Sequence, residues 1–157
     1  MFFEVKSKHE VKQYSPGALA FVGDAFYELY VRERLVGDGS LPVGMLHKRA
    51  VQYVCARAQS AAVHVILPML SEEEEAIFRR GRNASSLSVP RHVPTADYRR
   101  ATGLECLFGF LCMSGEENRA SDLLRAAWDA IEQSIRADEA ERQDLLKTAE
   151  EESDSAM

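Results

Sequence analysis

The sequence predicts an all-α protein, and three observations carry that prediction. Its long segments repeat apolar residues at helical spacing. No convincing strand and no internal repeat interrupts them. Stop and start signals (Gly37, Pro68, a capping box at Ser71, Gly115) divide them into helix-sized pieces. A chain of 157 residues, 46% of them hydrophobic, suits one globular domain with a real core.

The first helix is expected over residues 17–36, ending near Gly37 at the turn-like GDGSLP. A second runs over 43–67, through MLHKRAVQYVCARAQSAAVHVIL, and stops at Pro68. A third opens with Ser71-Glu72-Glu73-Glu74, a capping box whose acidic first turn suits the helix dipole, and breaks near Gly81. NASSLSVPRHVPT (83–95) is a loop by composition. Thr95 is expected to cap a fourth helix over 96–113, stopped at Gly115. The last helix starts near Glu116 and carries Leu123, Leu124, Ala127, Trp128, Ile131 and Ile135 at helical spacing. Beyond Arg136 apolar residues thin out. The chain therefore divides into a domain over 1–136 and an acidic tail over 137–157, a frayed or solvated helix or a disordered segment.

Charge follows the same division. The net charge is −6, yet residues 137–157 hold eight acids against two bases, so the remaining body is balanced. The acidic composition is a tail effect and does not exclude a polyanion partner for the body. Cys55, Cys106 and Cys112 lie in apolar helical contexts and read as reduced core thiols of a cytosolic protein. None has CxxC spacing and the four histidines do not cluster with them, which argues against a zinc site. No apolar run approaches a membrane span, and the start MFFEVKSKHEVK has no signal-peptide core.

One carboxylate stands out. Asp24 interrupts a run, Ala18 to Tyr27, that is otherwise apolar or glycine. On a wheel of about 100° per residue, Ala20 and Val31 fall within about 40° of it, and Glu28 is the only charged neighbour in the adjoining turns. In YRRATGLECLFGFL, Glu105 points away from the apolar arc of Leu104, Leu107, Phe108 and Leu111. Its neighbours one turn away, Ala101, Thr102 and Gly109, are small and leave room for something to approach. A carboxylate in an apolar setting must hold its proton or meet a cation. Two of them on neighbouring helices suit a hard divalent ion such as magnesium. The alternative is pairing with an arginine such as Arg99 or Arg100.

AFVGDAFYE (20–28) resembles the first signature of the ribonuclease III fold, and TGLECLFGFL (102–111) its second. LHKRAVQYVCARAQ (46–59) and EEEEAIFRRGRNASS (72–86), lying between them, resemble Mini-ribonuclease III, the short bacterial form. The likeness runs in order over about residues 15–133. It implies an all-helical, cytoplasmic, homodimeric endonuclease that uses Mg2+ and cuts both strands of an RNA duplex. The implied substrate is the large-subunit ribosomal RNA precursor, and a ribosomal protein on that substrate remains open as a helper. Asp24 and Glu105 become the catalytic and metal-holding residues. Two further acids of the larger enzymes are replaced here by Ala20 and Thr102.

RNA contacts are expected from a basic run. Residues 76–100 hold six arginines against Asp97. Arg79, Arg80, Arg82 and Asn83 would flank the duplex, with Lys48 and Arg49 as a second contact. The bland reading of the run is a solvated helix end paired to Glu72–Glu75. Two other functions compete: a ribonuclease III-fold module that grips RNA without cutting it, which the losses at Ala20 and Thr102 favour, and a helical interaction protein with no nucleic-acid partner.

Overall fold

In the computed structural model, which describes residues 4–84 and 88–155, one helix is buried on all sides and the others wrap it. Among these residues seven α-helices follow in order: α1 Lys8–Val11, α2 Pro16–Gly37, α3 Val43–Val54, α4 Ala56–Ile66, α5 Glu72–Arg82, α6 Thr95–Met113 and α7 Glu117–Ser155. No strand occurs among the described residues. Ser85, Ser86 and Leu87, in the middle of the expected loop, lie outside the described residues, as do residues 1–3, 156 and 157.

The central helix is α6. From Ala101 to Cys112 every residue except Glu105 is buried, so this segment is enclosed around almost its whole circumference. Helices α2, α5 and α4 pack directly on it, and α7 packs chiefly on α4. Phe78, Phe108, Phe110, Leu104 and Leu107 fill the centre, each 1% exposed or less. Tyr53 of α3 stacks on Trp128 of α7 at 4.0 Å between ring centroids, which makes both core residues.

Close approach to α6 depends on missing side chains. A Cβ on Gly23 of α2 would run into the carbonyl of Glu105, and one on Gly109 of α6 would run into the carbonyl of Leu19. The two glycines thus form a reciprocal crossing at which the backbones touch. Gly81 of α5 and Gly103 of α6 make a second, similar approach.

Several element ends match their sequence signals. Ser71 and Glu74 form the full capping box of α5. Gly115, at φ 75°, closes α6 in a Schellman motif, with the Glu116 amide donating to the Leu111 carbonyl and the Gly115 amide to that of Cys112.

Three expectations need correction. The single helix expected over 43–67 is two helices, broken at Cys55, where ψ is 152°. No glycine or proline marks this break. The freed carbonyls of Tyr53 and Val54 are instead satisfied by the Tyr27 hydroxyl at 2.9 Å and the Gln59 side-chain amide at 3.1 Å. Cys55 itself is exposed, and only Cys106 and Cys112 are core thiols. Thr95 is the first residue of α6, not its cap; Pro94 holds that position without a side-chain bond. The short helix α1, capped by Ser7 and Glu10, was not legible from the sequence pattern.

Charged anchors complete the packing. Arg119 of α7 grips Glu74 of α5 through two hydrogen bonds, 2.8 and 2.9 Å, in a largely buried pair. Helix α7 continues through the acidic segment as one helix, with residues 139–151 all exposed.

The crossing predicts a sharp contrast. Gly109→Ala should lose at least about 3 kcal/mol of stability, since backbone and not a flexible side chain meets the new methyl. Gly17→Ala, in open space on α2, should be neutral within about 0.5 kcal/mol or slightly stabilising. Urea denaturation of both variants checks this; equal stabilities would contradict the crossing.

Candidate active site

Asp24 follows Gly23 directly, and Glu105 carries the carbonyl that Gly23 approaches. The glycine crossing therefore sets the two acids, 81 positions apart, at one place on the α2–α6 seam. Asp24 is solvent-exposed, contrary to the expectation of a carboxylate sunk among apolar groups. Glu105 is the deeper of the two and only partly exposed.

The small residues beside Glu105 have a different purpose from the one expected. Gly109 admits helix α2, not a ligand, and Ala101 and Thr102 are buried, the Thr102 hydroxyl donating to the Tyr98 carbonyl at 3.0 Å. Ala20 is likewise buried, at 6% exposure. The two positions at which larger enzymes carry further acids are here part of the packing.

Neither acid has an arginine or lysine partner within 4 Å among the described residues. Arg99 donates to the Arg82 carbonyl at 3.3 Å, and Arg100 to the Ser60 hydroxyl at 3.3 Å, with Asp97 3.7 Å away. Glu28, on the Asp24 side, pairs with Arg32 at 2.8 Å. The ion-pair alternative thus finds its arginines engaged elsewhere.

The electrostatics record this lack of a cation. Glu105 is pushed up to about 7, first by burial and then by the charge of Asp24, against the opposing hydrogen bond from Gln59. Asp24, although open to solvent on one side, is raised by partial desolvation against the neighbouring helix and then by Glu28. The more solvated Asp24 ionises first, so their repulsion falls on Glu105, which keeps its proton longer.

Such a pair fits a hard divalent cation. The donors are oxygens, the charge they hold is uncompensated, and one of them faces solvent, where an ion can keep most of its water. No group of three or more His, Cys, Asp and Glu side chains placed to hold a metal occurs among the described residues.

Gln59 of α4 is the site residue that sequence reasoning missed. It is 1% exposed, and its amide donates to the Glu105 carboxylate at 3.3 Å. The available signal was its position on the buried stripe of α4, with Ala62, Val63 and Ile66 at three, four and seven residues.

The expected RNA contacts are scattered and partly committed. Arg79 pairs with Glu75, as the bland reading of the run requires. Arg80 donates to the carbonyls of Lys12 and Tyr14, at 3.1 and 2.9 Å, and so fastens the segment between α1 and α2 onto α5. Arg82 donates to the exposed Asn83 at 3.1 Å and lies 5.9 Å over the Phe78 ring. Lys48 and Arg49 are exposed on α3, which packs on α2, α4 and α7, whereas α5 packs on α6 and α2. Arg49 also borders a groove shared with Glu132, Arg136 and Glu139.

The raised Glu105 has a consequence for stability. The folded chain retains this proton up to about pH 7, whereas an unfolded chain releases it near 4.5. Between those values the folded state binds more protons, so stability falls as pH rises through this window. Without divalent ions, Glu105→Gln should therefore be more stable than the parent by about 2–3 kcal/mol near pH 8, with the difference vanishing near about pH 4. Urea titrations at the two pH values check this; equal stability near pH 8 would contradict it.

Comparison with known proteins identifies the family. The ribonuclease III domain family matches residues 17–116, which include both acids. The chain is 45% identical over 130 residues to the Mini-ribonuclease 3 of Thermoanaerobacter sp. (strain X514), covering 83% of this chain and 92% of that protein. It is 45% identical over 117 residues to the Mini-ribonuclease 3 of Symbiobacterium thermophilum, covering 74% and 90%. A crystal structure of a protein from Fusobacterium nucleatum superposes with a TM-score of 0.69 at 28% identity, covering 76% of this chain and 96% of that one. With its all-helical body matched over most of its length, the chain belongs to the ribonuclease III family and, within it, to the Mini-ribonuclease III endoribonucleases.

Proposed function

We propose that this endoribonuclease cleaves double-stranded RNA with the help of Mg2+, using Asp24 and Glu105 as its catalytic and metal-holding residues. One observation carries the reading: two acids are brought together against their repulsion, and no cation among the described residues meets them. A divalent ion bound there would acidify a water and neutralise charge on the scissile phosphate. The chain's own residues do the rest. Asp24, exposed, offers its carboxylate on the side from which a polyanion arrives. Glu105, deeper and held by Gln59, supplies a fixed second oxygen donor. Binding of the ion would require Glu105 to give up its proton, so ion affinity should rise as pH rises toward about 7.

The partner is duplex RNA, and the natural duplex we assign is a stem of the large-subunit ribosomal RNA precursor. A homodimer presents two such sites to the two strands. Phe21, 82% exposed, and Leu29, 57% exposed, are apolar side chains that α2 leaves uncovered on either side of Asp24, and they suit that interface. An A-form duplex is read by shape and phosphate, so an open face suits it better than a pocket. Arg82, Asn83, Lys48 and Arg49 are the phosphate contacts in this reading, while Arg80 serves the fold.

Cleavage of a labelled precursor stem tests this. Asp24→Asn should keep the helical fold and lower Mg2+-dependent cutting by about 100-fold or more. Undiminished cutting would overturn the assignment. In the same series, Arg82→Ala or Lys48→Ala should each reduce the salt slope of duplex binding by about one. Arg80→Ala should lower the melting temperature instead.

A further inference from the structure

The side-chain amide of Gln59 is shared between two acceptors. It donates to the Val54 carbonyl at 3.1 Å and to Glu105 Oε1 at 3.3 Å. The Val54 carbonyl can only accept, so the amide must face it with its NH2 group, and the same nitrogen reaches Glu105 Oε1. Its own oxygen, Oε1, is buried without a hydrogen-bond partner among the described residues. A glutamine only filling space would not be expected to leave a buried acceptor unmet.

The Val54 carbonyl is available because α3 and α4 break at Cys55. An unbroken helix would turn that carbonyl to the amide four residues on. One residue earlier, also at the end of α3, the Tyr53 carbonyl accepts from Tyr27, which lies three residues after Asp24 on α2. The break therefore joins the helix of one acid, through Tyr27, to the side chain of the other, through Gln59.

We infer that Gln59 is a positioning residue for the active site: anchored on the Val54 carbonyl at the α3–α4 break, its amide fixes the Glu105 carboxylate by one oxygen and leaves the other for the divalent ion. Outer-shell donors of this kind hold a ligand in one orientation, and their loss typically costs 10- to 100-fold in metal affinity or activity. The inference rests on the two-acid metal reading above. A purely structural role, capping the broken helix, is the rival, and it predicts lost stability alone.

Mn2+ binding, followed by the paramagnetic resonance of the free ion, separates them. Gln59→Met, similar in length but without a donor, should weaken Mn2+ affinity by about 10-fold or more, lower kcat, and leave KM for the duplex near its parent value. In a Glu105→Ala background the same change should have no further effect on Mn2+ affinity. In the unsubstituted protein the Gln59 side-chain amide resonances should shift on Mg2+ addition, a reading that needs no variant to fold. Parent-like Mn2+ affinity in Gln59→Met, or an amide signal indifferent to Mg2+, would overturn the inference while Asp24→Asn still loses the ion. If Asp24→Asn binds Mn2+ as the parent does, the metal reading fails and the role of Gln59 falls with it.

Discussion

The contact between Gly23 and Gly109 is the constraint on which the rest of this structure depends. Two helices can bring their backbones together only where side chains are absent. Here that point of contact is flanked by Asp24 on one helix and includes the Glu105 carbonyl on the other. The glycines therefore do more than pack a core. They force two like charges into proximity, and folding must supply the energy that this repulsion costs. The buried apolar surface of α6 is well placed to supply it, because that helix is enclosed on all sides.

An arrangement that raises one acid to about 7 is out of balance unless something positive is added. The protein could have supplied an arginine, and it carries several nearby in sequence. Arg99 and Arg100 are turned to a carbonyl and a hydroxyl instead. Elsewhere the molecule pairs its charges readily, as Glu74 with Arg119 and Glu73 with Lys8 show. At Asp24 and Glu105, by contrast, two acids lie close enough to raise one another and no arginine or lysine stands within 4 Å among the described residues, so their charge is left to be met from outside.

How much of this was legible beforehand depended on where each signal originates. Asp24 was visible because a carboxylate in an apolar helical run is anomalous whatever surrounds it. Glu105 was found by its small neighbours, but the reason attached to them was wrong: Gly109 makes space for a helix. The capping box of α5 and the glycine stop of α6 are local devices, so sequence alone located them. The break at Cys55 is not local. Its cause is a tyrosine 26 residues earlier and a glutamine that also serves Glu105, and no propensity within 43–67 encodes either bond. The arginine run was seen as a unit, yet each member has its own task, since Arg80 binds backbone carbonyls that become neighbours only on folding.

The central claim is that Asp24 and Glu105 meet over one divalent ion. Carboxyl-carbon resonances of the aspartates and glutamates, recorded while Mn2+ is added in small amounts, address it directly. The account predicts that the Asp24 and Glu105 signals broaden away together, at the lowest Mn2+ additions, with Glu28 less affected because Arg32 holds it. Broadening confined to Asp24, or spread evenly over the exposed acids of α7 with Glu105 untouched, would contradict it.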